Sequence, residues 1–228
     1  YDDKGKNVGD SGHGTHVAGT VAAVSNNGVG VSGIAGGTGR NDGVKLMSCQ
    51  IFSGGEGGSA AVSAEAIKYA ADNGASILQC SWGYPAGAVT TDNAYASGAR
   101  IEKQAIDYFI ATKNNAVLDG GLVIFAAGND AKAMSGYPGA YRDYISVTAF
   151  SPDYLPAYYT NYGPGCNVAA PGGDAYISPS GSSAAQVLST LPSELPAELG
   201  TDGADYGYMQ GTSMACPHVS GVAALGLS

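Results

Sequence analysis

Two stretches near opposite ends of the chain carry side chains that suit nucleophilic chemistry. In GTSMACPHVSGVAAL (211–225), small and apolar residues at helical spacing follow Ser213, and Gly211 and Thr212 precede it. That spacing predicts a helix opening at Ser213, where unsatisfied amides and the helix dipole favour negative charge, such as an oxyanion formed on a carbonyl. A serine there is equally suited to capping the helix. In SGHGTHVAGT (11–20), His13 opens a second helical pattern, with Val17, Val21 and Val24 on one face. Gly12 and Gly14 leave room for a partner to approach, and an imidazole that titrates near neutrality is the usual base for a serine nucleophile. A packed or capping histidine is the plainer alternative.

His13 and His16 stand three apart, and His218 completes a set of three. Three histidines also suit a catalytic zinc. The zinc-protease pattern, however, needs a glutamate right after its first histidine, and Gly14 stands there. Nor does Gly-Thr-Ser-Met-Ala match the Gly-x-Ser-x-Gly nucleophile elbow.

The elements that must position these groups read as alternating strand and helix. VKLMSCQIF (44–52), ASILQCSWG (75–83), GGLVIFAAGN (120–129) and YISVTAF (144–150) are strand-length apolar runs. SAEAIKYAADNG, with Gly74 as its stop, and ARIEKQAIDYFIATKN are the helices between them. Unbroken apolar strands separated by helices predict an α/β three-layer sandwich around a mostly parallel sheet. Functional groups in such sheets gather at the strands' carboxyl ends, here Ser81-Trp82-Gly83 and Gly128-Asn129-Asp130. Residues 153–208 read as loops and short strands.

Composition narrows the partners. The 228 residues include 36 glycines, with 44% hydrophobic and only 13% charged residues, which suits one tightly turned, well-packed domain. A net charge of −9 argues against a nucleic-acid partner. No run reaches the roughly 20 apolar residues that span a bilayer. Cys49, Cys80, Cys166 and Cys216 show no CxxC spacing and are expected mostly as buried free thiols.

Taken in order, SGHGTHVAGT, FAAGN and GTSMACPHVSG resemble the subtilisin-like serine protease family. NNGVGVSGIA, SWG, GYPGAY and VAAPGG between them are similar to further landmarks of that family, so the likeness runs over the whole chain as a single peptidase domain. The resemblance implies His13 as general base, Ser213 as nucleophile and Asn129 as oxyanion donor beside the Ser213 amide. It implies a specificity pocket walled by Ser81, Trp82 and Gly83 and by Ala126, Ala127 and Gly128. Gly136 would lie at its base, favouring a large apolar residue before the cut. Ser53, Gly54 and Gly55 would pair with an extended substrate, and His16 would pack behind the catalytic histidine.

The likeness has gaps. The family's catalytic aspartate lies well upstream of the histidine, whereas Asp2, Asp3 and Asp10 are too close and follow no apolar strand. Asp10 or Ser11 instead suits the cap of the His13 helix. The chain therefore reads as incomplete at both ends, with a separate N-terminal segment as a source of the aspartate. Otherwise it is an inactive fragment, or a binding module derived from a protease. VSNNGVGV (24–31) resembles a family calcium loop through Asn26 and Asn27, while catalysis itself needs no cofactor. Protein or peptide substrates and a secreted or cell-surface location complete what the resemblance implies.

Overall fold

The computed structural model describes residues 12–52, 58–112, 117–177, 183–193 and 205–228. Its centre is a four-stranded parallel sheet in the order β1-β2-β3-β4, formed by β1 (Ile77–Cys80), β2 (Leu122–Ala126), β3 (Ile145–Phe150) and β4 (Val168–Pro171). The register places Ile77 beside Leu122 and Ile124 beside Ile145. Alternation along β2 divides the core in two. Val123 and Phe125 pack with the helices α2 (Ala60–Asp72), α3 (Asp92–Gly98) and α4 (Arg100–Ala111). Ile124 and Ala126 face the other way, onto Ala215 and Cys216 of α5 (Thr212–Gly226). The result is the expected three-layer α/β arrangement.

Local chemistry explains several boundaries. Ser59 caps α2 by accepting from the Val62 amide, and Gly74 follows the helix with φ 82°, a conformation that favours glycine. The first helix, α1 (His13–Ala22), packs on α5 and on a two-stranded antiparallel hairpin of β5 (Val187–Thr190) and β6 (Tyr206–Met209). Its cap position is held by Gly12 without a side-chain cap bond. Asp10 and Ser11, expected as caps, lie outside the described residues. Val17 and Val21 are buried as expected, but Val24 lies beyond the helix end and is exposed.

One expected strand is absent. Residues 44–52 join no ladder among the described residues, and Leu46, Met47 and Phe52 are 53%, 39% and 43% exposed. An apolar run becomes a strand only where a neighbour supplies complementary amides and carbonyls, and no described strand lies beside this one. The outer edge of β1 likewise has no described partner. All four cysteines are free thiols, as expected, although only Cys80 and Cys216 are fully buried.

Candidate active site

The amino end of α5 presents Ser213 in the helix's first turn. Gly211 occupies the cap with φ 152° and ψ 165°, a backbone region essentially reserved for glycine. Ser213 is thus the helix's second residue, and its hydroxyl caps nothing. It donates to the Ser81 carbonyl at 3.1 Å, while the Ser81 hydroxyl donates to the Ser213 carbonyl at 2.7 Å. Pro217 makes the second bond available. It lacks the amide that would otherwise reach back four residues to the Ser213 carbonyl. The sequence element Ser-Met-Ala-Cys-Pro therefore fastens the Ser213 helix to the end of β1.

Asn129 follows β2 and is oriented through one side of its amide. Its Oδ1 accepts from the Thr212 amide and the Thr212 hydroxyl, both at 2.9 Å. The Thr212 hydroxyl is in turn 3.1 Å from the Gly128 amide. With the oxygen so engaged, Nδ2 is the end turned toward Gly211 and Ser213: a Cβ on Gly211 would lie 3.5 Å from Asn129 Nδ2 and 3.6 Å from the Ser213 amide nitrogen. Two donors, one of them on a helix N-terminus, converge beside Gly211.

His13, Asn129 and Ser213 line one open cleft of about 380 Å³, completed by Gln186, Tyr208, Met209, Gln210 and Met214. Burial lowers the pKa of His13 from its ordinary 6.5, so the imidazole favours its neutral, basic form. His16 is fully buried, with Nε2 3.0 Å from the Val187 carbonyl and 3.2 Å from the Gly207 carbonyl, so it ties α1 to the β5–β6 hairpin. His218 Nδ1 lies 2.8 Å from the Met214 carbonyl. Neither imidazole joins His13 in a metal centre, and the described residues hold no cluster of three His, Cys, Asp or Glu that could bind one.

Ser81–Gly83 and Ala126–Gly128 end adjacent positions of the sheet, and Gly136 joins them. The Gly136 amide donates to the Ala127 carbonyl at 2.7 Å, and the Tyr84 amide donates to the Tyr137 carbonyl at 2.6 Å. A Cβ on Gly136 would lie only 2.5 Å from the Tyr84 carbonyl. The glycine is required by this close backbone approach, a different reason from the open volume expected of it. Trp82 meets Phe125 edge-on, with ring centroids 5.3 Å apart. Ser53, Gly54 and Gly55 lie outside the described residues.

The candidate calcium loop does not form a cage. Asn26 takes a left-handed turn with φ 58°, and Asn27 Oδ1 accepts from the Val29 amide at 2.9 Å. Both side chains are exposed, and residues 24–31 contain no carboxylate. Calcium needs six to eight oxygens, usually several of them anionic, so these residues do not fit it.

A family model described as the subtilase family matches residues 1–228. The chain is a subtilase. It is 32% identical over 215 residues to the M-protease of Shouchella clausii, covering 94% of this chain and 44% of that protein. It is 35% identical over 221 residues to the halolysin of Haloferax mediterranei, covering 97% of this chain and 34% of that protein. This subtilase thus spans less than half the length of either relative. Among solved structures, a protease from Pseudoalteromonas arctica superposes with a TM-score of 0.70 at 33% identity, covering 93% of this chain and 57% of that one.

Gln186, Tyr208, Met209 and Gln210 of the cleft were not anticipated from the sequence. The last three stand immediately before the Gly-Thr-Ser motif, and that adjacency was the available signal.

Proposed function

We propose that this subtilase is the nucleophile-bearing part of a serine endopeptidase that hydrolyses peptide bonds through an acyl-enzyme at Ser213. The observation carrying the reading is that His13, Asn129 and Ser213, which lie far apart along the chain, line one cleft. In the reaction the Ser213 hydroxyl turns from the Ser81 carbonyl toward the imidazole of His13. Its oxygen attacks the scissile carbonyl carbon, and His13 takes the proton. The former carbonyl oxygen becomes an oxyanion held by Asn129 Nδ2 and the Ser213 amide. The carbon–nitrogen bond then breaks as His13 protonates the departing amine, leaving the ester on Ser213. Water repeats the sequence to release the acid. No cofactor enters any step.

The imidazolium formed at the half-buried His13 is disfavoured, and a carboxylate beside it would offset that cost. Family resemblance implies such an aspartate upstream of the histidine, and a separate N-terminal segment is our proposed source for it. The run 44–52 and the outer edge of β1, neither of which has a ladder partner there among the described residues, are the positions where an added strand would find hydrogen-bonding partners.

The family likeness implies a specificity pocket between Ser81–Gly83 and Ala126–Gly128, based on Gly136, whose residues are serine, tryptophan, alanine and glycine. Such a lining favours a large apolar residue before the cut; cleavage confined to small or charged residues would contradict this. Ser53–Gly55 would pair with the extended substrate. The acidic, charge-poor composition and the family likeness support a secreted or cell-surface protein acting on other proteins or peptides. None of the described helices is long and apolar enough to cross a membrane.

Labelling with a fluorophosphonate, mapped by mass spectrometry and controlled by Ser213→Ala, tests the reading. An adduct on Ser213 that the variant loses is the expected result. Absence of any adduct, with or without the N-terminal segment, would favour a protease-derived binding module instead.

A further inference from the structure

Glu102 is a carboxyl group that the peptidase chemistry does not use. It lies in the first turn of α4 and is 1% exposed, on the face that also buries Ile106 and Phe109. Its Oε1 accepts two hydrogen bonds, from the Tyr84 hydroxyl at 3.2 Å and from the Tyr95 hydroxyl at 3.0 Å. Burial raises its pKa against the lowering effect of the two tyrosines, and the Tyr84 hydroxyl is itself pushed up to about 12, chiefly by burial. A buried carboxyl costs more than an apolar side chain of equal volume unless its bonds are made. What it adds is direction.

Both tyrosines lead to the residues assigned above to the specificity pocket. Tyr84 directly continues the wall Ser81–Gly83, its amide bonded to the Tyr137 carbonyl and its own carbonyl facing Gly136. Tyr95 packs on the Tyr137 ring, with centroids 5.3 Å apart, and Tyr137 is the residue after the pocket's base. The Tyr137 hydroxyl is held in turn by Asp92, at 2.9 Å. One carboxyl oxygen thus holds the wall through Tyr84 and the backing of the base through Tyr95.

We propose that Glu102 is a positioning residue that fixes the spacing between wall and base of the specificity pocket, and so decides how strongly a bulky residue is preferred over a small one. The inference rests on the pocket assignment above, but not on an active nucleophile. A glutamine keeps an oxygen able to accept both hydroxyls, whereas a methionine keeps the volume and loses both bonds.

The test is equilibrium binding of cleavage-product peptides ending in phenylalanine or alanine, measured on the full chain and on its Glu102→Gln, Glu102→Met and Tyr84→Phe variants. Binding reads the pocket whether or not Ser213 reacts with a phosphonate, so failure of the inference and failure of the peptidase reading are separate results. The unsubstituted chain should prefer the phenylalanine peptide. Glu102→Gln should keep that preference within about twofold, and Glu102→Met should reduce it about tenfold, the equivalent of about 1.4 kcal/mol. Tyr84→Phe, which spares the Tyr95 bond, should reduce it about threefold and stands in if Glu102→Met fails to fold. A merely structural role would lower the bindable fraction for both peptides equally and leave the ratio of dissociation constants unchanged. An unchanged ratio in Glu102→Met or, where that variant does not fold, in Tyr84→Phe would overturn the proposal. So would a chain that does not distinguish the peptides at all.

Discussion

The surroundings of Ser213 and those of residues 44–52 are built on opposite terms. Around Ser213 every nearby backbone element is engaged: α5 packs across all four strands of the sheet, and Asn129 and Thr212 bond twice. Ser81 and Ser213 exchange a pair of hydrogen bonds. Around 44–52 an apolar stretch with strand composition lies without a described ladder, its leucine and phenylalanine facing solvent. The first region is held by local chemistry, whereas the second has the composition of a buried strand without a described neighbour that would bury it. The proposed oxyanion stabilisation would depend on the first region. Charge stabilisation at His13, if a strand-borne carboxylate provides it, depends on the second.

The largest expected effect breaks the engaged side. Asn129→Ala removes one of two oxyanion donors and also frees the Thr212 amide and hydroxyl. Phosphonate labelling of Ser213 should slow about 10²–10³-fold, a range carried over from this family rather than worked out from the present distances. Near-normal labelling would show that the Ser213 amide suffices, and that Asn129 serves the helix cap.

A smaller effect concerns the other side. The reactive base is the neutral imidazole, so the labelling rate should rise with pH through the pKa of His13. Burial lowers that pKa, which places the midpoint below 6.5 for the chain by itself. A carboxylate beside the ring favours the charged form and raises the pKa, so adding the proposed N-terminal segment should move the midpoint upward. A midpoint already above 6.5 in the chain alone would mean that an acidic group within it already serves His13.

The contrast also explains what could be anticipated from sequence. The helix of Ser213 was legible because small residues recur at helical spacing after a glycine, and the parallel sheet because its strands are unbroken apolar runs. The strand at 44–52 was misjudged for the same reason: composition reports suitability for a sheet, while a ladder also needs a neighbour. Helix α3 went unnoticed because DNAYASG is short and ends in glycine; Thr91 supplies its cap by accepting from the Ala94 amide. Glu102 was legible in hindsight, since Ala99, Glu102, Ile106 and Phe109 recur at spacings of three or four, putting an acid on an apolar face. Motif spacing singled out His13, Asn129 and Ser213 as candidates, which the structure brings to one cleft, but could not reveal that Pro217 leaves the Ser213 carbonyl for Ser81. That follows only from seeing which acceptor lost its donor.

The smallest expected effect, at Leu46, is the most discriminating when set against a fully buried reference. Ile124 is fully buried between β2 and α5, so Ile124→Ala should cost about 2–5 kcal/mol in urea unfolding, through lost burial and the cavity left behind. Leu46 has similar chemistry but is half exposed, so Leu46→Ala should change stability by no more than about 0.5 kcal/mol. If a separate segment pairs with 44–52, Leu46 gains a neighbour, and in its presence the same substitution should become several times more costly while the Ile124→Ala cost stays put. A large Leu46→Ala effect in the chain alone would mean that this region is already covered, and the difference between the two sides of the molecule would disappear.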